Sequence, residues 1–169
     1  YNGETKRIQS VKSFMYLYKY IQISTITICI LSIWLNHKYL LKVFEANNFM
    51  VYLGISISGI AITLFALSRF SLGENYSPCY DSYLPKNLKT TGIYSIVRHP
   101  IYTSNILLMI GIFISSGSII IAINAFILFG YYFLSAFNEE RALSRQFPKY
   151  KKYKKTTGMF LPHIVKKLG

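Results

Sequence analysis

The chain has 169 residues, 52% of them hydrophobic, and a formal net charge of +13. With a mean hydropathy of +0.32, it is too apolar for an ordinary soluble domain, and we expect a single membrane domain covering residues 1–169. The basic residues flank apolar stretches without a nucleic-acid-binding motif, so the charge favours membrane lipids with anionic headgroups as partners and excludes nucleic acid.

Uncharged stretches predict four membrane spans and an all-α fold. Residues 20–37 and 46–68 are each long enough to cross a bilayer. Residues 100–138 contain no Asp, Glu, Lys or Arg, and as one helix they would be about 58 Å long, nearly twice the hydrocarbon thickness. The polar cluster at residues 115–118 therefore predicts a turn, with spans at 100–115 and 119–138 forming a helical hairpin.

The second predicted span contains Gly54 and Ser58, four residues apart. Small residues at this spacing let two helices approach closely, so we expect this face to pack against another span.

The distribution of basic residues predicts the orientation of the four spans. Seventeen of the nineteen lie in the N-terminal segment, the loop at 69–99 or the basic tail at 139–169, whereas Lys38 and Lys42 lie on the other side. Lys and Arg concentrate in short cytoplasmic loops. Both termini, the loop and the tail are therefore predicted to be cytoplasmic, in a plasma or inner membrane, with the tail lying on the membrane surface.

A polar group is predicted where the hairpin begins. Pro100 suits the first turn of a helix, which places Arg98 and His99 at the N-terminal mouth of the third span. Free backbone N–H groups favour an anion at such a position. The planar guanidinium of Arg98 adds a second group suited to a carboxylate or phosphate.

Two carboxylates are predicted where the hairpin ends. Glu139 and Glu140 follow the fourth span, and at a helix C-terminus each would cost roughly 0.3–1 kcal/mol. No cation lies three or four residues farther along, so a ligand cation, Arg98 or a tail lysine must compensate. Either Arg98 and Glu140 form an ion pair that only locks the hairpin, or the group binds an amino-acid moiety such as that of S-adenosylmethionine.

Two sequence blocks resemble a known family. Residues 91–102, TGIYSIVRHPIY, resemble the G-x-Y-x-x-V-R-H-P-x-Y signature of the isoprenylcysteine carboxyl methyltransferase and phospholipid methyltransferase superfamily. Glu139-Glu140, followed by Phe147, Tyr150, Tyr153 and Pro162, resembles its C-terminal ending. The chain departs from the pattern at Ser104, where many members have Gly, and at Pro148, which replaces a Gly in a turn one residue shorter than usual.

The resemblance implies an integral membrane enzyme that binds S-adenosylmethionine at the cytoplasmic face and methylates a lipophilic or prenylated acceptor from the bilayer. It implies no metal. Arg98 and Glu140 are the implied catalytic residues. The implied cofactor-binding set is Tyr94, Val97, Arg98, His99, Pro100, Tyr102, Ser104, Glu139, Glu140, Tyr150 and Tyr153.

Two other functions remain open from the sequence. A similar R-H-P-x-Y block occurs in sterol reductases that use NADPH, and a membrane scaffold would need the charged pairs only for structure. The Glu pair and the short chain favour methyl transfer. The sequence specifies neither the acceptor, nor whether O, N or S is methylated, nor the oligomeric state.

Overall fold

The computed structural model describes residues 19–21, 23–28, 30–31, 42–73, 85 and 87–163. The predictions for residues 32–37 of the first span and for residues 74–84 and 86 of the loop lie outside the described residues, as do those for both ends of the chain. Within these ranges the structure is all-helical, and only two isolated backbone bridges, with no β-strand, occur.

The helices follow the apolar stretches of the sequence. The described residues between 19 and 31 are helical, and the later elements are α1 (Asn48–Leu72), a 3-10 helix (Gly92–Ser95), α2 (Pro100–Ser116), α3 (Ile119–Gln146) and α4 (Tyr150–Thr156). α1 begins where the Asn47 side chain accepts a hydrogen bond from the Met50 N–H at 2.9 Å. It ends at Gly73, whose φ of +52° suits a residue without Cβ.

Two of the helices, α1 and α3, are long and apolar enough to cross a membrane, with mean hydropathies of 2.1 and 2.0, and α2 is a shorter apolar helix. α1 and α3 continue to Leu72 and Gln146, past the span ends predicted at 68 and 138. Backbone hydrogen bonding thus extends the helices beyond their apolar segments. The four-span topology and the transmembrane hairpin stay predictions.

The extension of α3 corrects the electrostatic argument about its two carboxylates. Glu139 and Glu140 lie within the helix, more than a turn before its end at Gln146. A helix dipole acts mainly on the last turn. Interactions from other segments, rather than the helix end, therefore set the environment of both carboxylates.

Small residues bring α1 and α2 into close contact, as the spacing of Gly54 and Ser58 predicts. A Cβ atom added to Gly54 would lie 2.5 Å from the carbonyl oxygen of Gly111, and one added to Gly111 would lie 2.7 Å from the carbonyl oxygen of Gly54. Real side chains do not reach such separations. The two backbones therefore touch where neither residue has a side chain.

The connection between α2 and α3 is a tight turn. Gly117 ends α2 in the left-handed conformation at φ +64°, and α3 begins after Ser118. Val43 donates its N–H to the Gly117 carbonyl oxygen at 2.7 Å, so the segment before α1 covers the turn. Side chains of α2 and α3 share one buried core, which includes Tyr102, Met109, Leu128, Tyr132 and Ala136.

We expect Gly111→Ala to lower the free energy of unfolding by about 2 kcal/mol, because the added methyl group overlaps α1 and forces the helices apart. Gly59→Ala is the matched control, since a Cβ on Gly59 meets no atom within 4 Å. Thermal unfolding in detergent measures both. Equal stability of the two variants would contradict the close contact.

Candidate active site

The residues between the 3-10 helix and α2 direct the chain towards the candidate site. The 3-10 helix begins at Gly92, whose φ is +63°, and it buries Tyr94. Pro100 occupies the first helical position, where its fixed φ and missing N–H cost nothing. Arg98 and His99 are therefore held at the N-terminal end of α2.

The Glu140 carboxylate lies at the centre of a buried ionic group. The Nε of Arg98 lies 2.7 Å from Glu140 Oε1, with side-chain exposures of 7% and 1%. Lys154 Nζ lies 2.8 Å from the other oxygen, Oε2, and His99 Nε2 lies 3.3 Å from Oε1. Glu140 of α3 thus binds Arg98 and His99, which directly precede α2, and Lys154 of α4. Among the compensating cations expected from the sequence, Lys154 is the tail lysine.

Arg98 also holds the C-terminal segment, which we define as residues 147–163, through its backbone carbonyls. Its guanidinium Nη1 donates to the carbonyl oxygens of Lys154, at 3.1 Å, and Thr157. The backbone N–H of Arg98 donates to Gly158 O at 2.8 Å. From the sequence, we expect the N–H groups at this position to bind an anion. In the structure, those of Arg98 donate to carbonyl oxygens of the C-terminal segment.

Two further contacts fasten the same segment. The His99 N–H donates to Met159 O at 3.1 Å, and the Thr103 hydroxyl donates to Phe160 O at 3.0 Å. Val97 forms a backbone bridge with Gly158. The chain after α4 therefore lies against the start of α2 as a fixed part of the site.

The second carboxylate, Glu139, has a different environment. Its side chain keeps 30% of its exposure, and the Tyr102 hydroxyl donates to Oε2 at 3.1 Å. His99 Nδ1 lies 3.7 Å from the same oxygen. The imidazole thus lies between the two carboxylates, with one ring nitrogen facing each.

Aromatic rings form a stack beside Glu139. The rings of His99 and Tyr102 are nearly parallel, at 4°, with centroids 5.3 Å apart. Tyr102 stacks in turn on Tyr132, with centroids 5.1 Å apart, and Phe160 packs against His99 at 6.1 Å. His99, Tyr102 and Tyr132 are all buried, so their stacked rings form a rigid wall beside the partly exposed Glu139 carboxylate.

The two tyrosines of α4 differ in their hydroxyl contacts. The Tyr153 hydroxyl donates to the Tyr94 carbonyl oxygen, and burial raises the pKa of Tyr153 to about 12, so the donor stays protonated. Burial, and then the charge of Glu140, raises the pKa of Tyr150 well above its usual value. Among the described residues, the buried Tyr150 hydroxyl has no hydrogen-bond partner.

All eleven residues proposed for the site lie in the described chain, but they do different things. Five of them are linked by successive pair contacts: Arg98 with Glu140, Glu140 with His99, His99 with Glu139, and Glu139 with Tyr102. Ser104 is buried and donates its hydroxyl to Ile101 O within its own helix at 2.7 Å. Pro100 is buried as well.

The sequence did not single out Lys154, Thr157 and Gly158 as part of this site. Two of them, Thr157 and Gly158, contribute backbone carbonyls, which carry no residue signature. In the sequence, Gly158 could have been noticed only as a glycine that follows a lysine-rich segment. The structure gives the reason for the glycine, since a Cβ there would collide with the carbonyl oxygen of Leu161. In the described chain, no group of three or more His, Cys, Asp or Glu side chains is arranged to hold a metal ion.

Comparison with known proteins gives one family and two relatives. The profile of the phospholipid methyltransferase family matches residues 49–150. The nickel-cobalt-cadmium resistance protein NccN of Alcaligenes xylosoxydans xylosoxydans is 28% identical over 112 residues, which are 65% of this chain and 53% of the relative. The cobalt-zinc-cadmium resistance protein CzcN of Cupriavidus metallidurans is 28% identical over 115 residues, or 66% and 53%.

The chain spans about half the length of the curated relatives it matches. The family profile covers more than half of the chain and includes both Arg98-His99-Pro100 and Glu139-Glu140. Two of its helices are also apolar enough to cross a membrane. The chain therefore belongs to the phospholipid methyltransferase family, within the superfamily of membrane methyltransferases that also contains the isoprenylcysteine carboxyl methyltransferases.

Proposed function

We propose that the protein transfers a methyl group from S-adenosylmethionine to a lipophilic acceptor at the cytoplasmic membrane face. One observation carries the proposal: Arg98, His99, Glu139 and Glu140 converge where α2, α3 and the C-terminal segment meet. Family membership gives the reaction class. The convergence supports the assignment of that reaction to this site.

Glu139 is the residue best suited to bind the cofactor's ammonium group. It is the more exposed of the two carboxylates, and Tyr102 fixes one of its oxygens by a hydrogen bond. The buried stack of His99, Tyr102 and Tyr132 forms a rigid wall beside this carboxylate. These residues therefore fit the cationic parts of S-adenosylmethionine.

The Tyr150 hydroxyl is a second group that could contact the cofactor. A buried hydroxyl without a hydrogen-bond partner costs roughly 1–3 kcal/mol, and Tyr150 is such a group among the described residues. A polar ligand atom that reached it would recover this energy. The same residue belongs to the set implied by the family resemblance.

Bound at this site, the cofactor supplies an electrophilic methyl group. The protein's contribution is to position both reactants and to exclude water. A carboxylate acceptor needs no base. For an amine acceptor we assign proton removal to His99, whose Nδ1 lies on the side of the partly exposed Glu139.

We assign Arg98 and Glu140 to framing the site. Arg98 donates to Glu140 and to two carbonyls of the C-terminal segment, so its Nε and Nη1 groups are occupied by protein contacts. Glu140 in turn contacts Arg98, His99 and Lys154. The Arg98–Glu140 ion pair therefore does not exclude a cofactor site. The pair holds the surrounding segments in place, and the neighbouring Glu139 stays partly exposed for a ligand.

The family description supports a phospholipid as acceptor, and a prenylated acceptor is the alternative within the same superfamily. The names of the two relatives associate those proteins with metal resistance. Methyl transfer from labelled cofactor to total membrane lipids, followed by mass spectrometry of the product, would identify the acceptor.

We expect Glu139→Gln to weaken S-adenosylhomocysteine binding by about tenfold, because an amide cannot form the charge-assisted bond to the ammonium group. Titration calorimetry in detergent measures the affinity. Glu45→Gln is the matched control, since Glu45 is an exposed acidic residue that pairs with Lys42 before α1. Binding of NADPH instead of S-adenosylhomocysteine would favour the reductase, and binding of neither would favour a scaffold.

We expect Arg98→Ala to lower the free energy of unfolding by roughly 3–5 kcal/mol, because Glu140 loses a buried partner. Trypsin should also cleave faster after Lys154 and Lys155, since the C-terminal segment loses its donor. Arg69→Ala, which removes an exposed interaction with the Gly73 carbonyl, is the control. An Arg98→Ala protein that keeps its stability and protease resistance but loses S-adenosylhomocysteine binding would show that Arg98 contacts the cofactor directly.

A further inference from the structure

The ionic group holds two carboxylates and two cations whose charges balance. Arg98 and Lys154 both contact Glu140, and Glu139 lies on the other side of the His99 ring. A guanidinium stays protonated in proteins, and an ammonium next to a carboxylate keeps its proton as well. The four charges therefore cancel while His99 is neutral.

The two nitrogens of the His99 ring lie at different distances from the carboxylates. Nε2 lies 3.3 Å from Glu140 Oε1, within hydrogen-bond distance, whereas Nδ1 lies 3.7 Å from Glu139 Oε2, which is too long for a hydrogen bond. A neutral imidazole has one N–H and one lone pair, whereas an imidazolium donates from both nitrogens. The geometry therefore fits a neutral ring that donates from Nε2 and has no proton on Nδ1.

Lys154 supplies the part of the charge balance that comes from α4. Its Nζ lies 2.8 Å from Glu140 Oε2, an oxygen to which no hydroxyl, amide or backbone N–H of the described chain donates. Arg98 and His99 contact the opposite oxygen, Oε1. Without Lys154, one negative charge next to the imidazole would be left uncompensated, and such a charge favours the protonated ring.

The aromatic side chains around His99 contribute no positive charge. Tyr102 and Phe160 lie against its ring. Tyr150 and Tyr153 face the ionic group from α4, and burial raises the pKa of both, so they stay neutral. These side chains therefore cannot replace a missing cation.

We infer that Lys154 is a positioning residue of the site, whose charge keeps His99 neutral and thereby leaves Glu139 available to a cationic ligand group. An imidazolium would carry a proton on Nδ1, on the side of Glu139, and would compete with the ligand for that carboxylate. The effect of Lys154 on His99 is independent of methyl transfer. Its consequence for the ammonium group of the cofactor rests on the proposed function.

The experiment follows the histidine side-chain signals by NMR while the pH is varied, with the full chain in an uncharged detergent. The chain has three histidines, so the variants His37→Gln and His163→Gln identify the signal of His99. We expect Lys154→Gln to increase the proton affinity of His99 by about tenfold or more, because a nearby positive charge is lost. The midpoint of its titration then rises by about one pH unit. Lys154→Arg should keep the wild-type midpoint.

Lys155→Gln is the matched control. It removes the same charge from the next residue, which is exposed, and we expect it to change the proton affinity of His99 by less than about twofold, because solvent and salt screen an exposed charge. The side chain of Lys154 is itself 46% exposed. Its replacement should therefore leave α4 packed through Tyr150 and Tyr153, and thermal unfolding verifies that all variants are folded.

The affinity for S-adenosylhomocysteine, measured over the same pH range, tests the consequence for the ligand. In Lys154→Gln we expect binding to weaken by about tenfold below the His99 midpoint, where the imidazolium competes for Glu139, and to recover above it. A raised midpoint without any pH dependence of the affinity would support the charge effect of Lys154 and contradict the competition at Glu139.

Three outcomes would overturn the inference. Equal His99 midpoints in the wild type and Lys154→Gln would mean that Lys154 does not set the charge of the ring. An equal rise in Lys155→Gln would mean that only general charge acts, and a Lys154→Arg protein that titrates like Lys154→Gln would mean that charge is not the cause. A wild type that does not bind S-adenosylhomocysteine would contradict the methyltransferase proposal, while the titration still decides this one.

Discussion

The buried contact between Arg98 and Glu140 is the interaction on which the rest of the site depends. Two ions removed from water cost several kcal/mol each, and their attraction compensates only with good geometry and further hydrogen bonds. Both conditions are met, since Glu140 also contacts His99 and Lys154 and Arg98 donates to backbone carbonyls as well. One ion pair therefore fixes α2, α3 and the C-terminal segment relative to one another.

This arrangement gives two neighbouring carboxylates different tasks. Successive residues of an α-helix point about 100° apart, so Glu140 is directed into the ionic group while Glu139 lies near the aromatic stack. The buried carboxylate is neutralised by the protein. Glu139 is partly exposed and can therefore contact a ligand. The hydrogen bond from Tyr102 limits the movement of its side chain. His99 connects the two, which couples the structural half of the site to the half that we assign to the cofactor.

The helices supply a rigid base for these contacts. α1 and α2 touch through Gly54 and Gly111, which fixes the second half of α2 against α1 without large side chains. The C-terminal segment then packs against the start of α2 through backbone hydrogen bonds to Arg98 and His99.

The sequence by itself determined that the apolar stretches of α1, α2 and α3 are helical, because long uncharged stretches have few other stable forms in a membrane, and it determined the family through the two spaced blocks. It did not predict the 3-10 helix or α4, which lie in polar segments. It also predicted the approach of Arg98 to Glu140, since both flank one folded stretch. Only the tertiary structure decided that Arg98 binds Glu140 and the carbonyls of Lys154 and Thr157. Every residue has a carbonyl, so which one meets an arginine depends on the path of the chain and leaves no mark in the sequence.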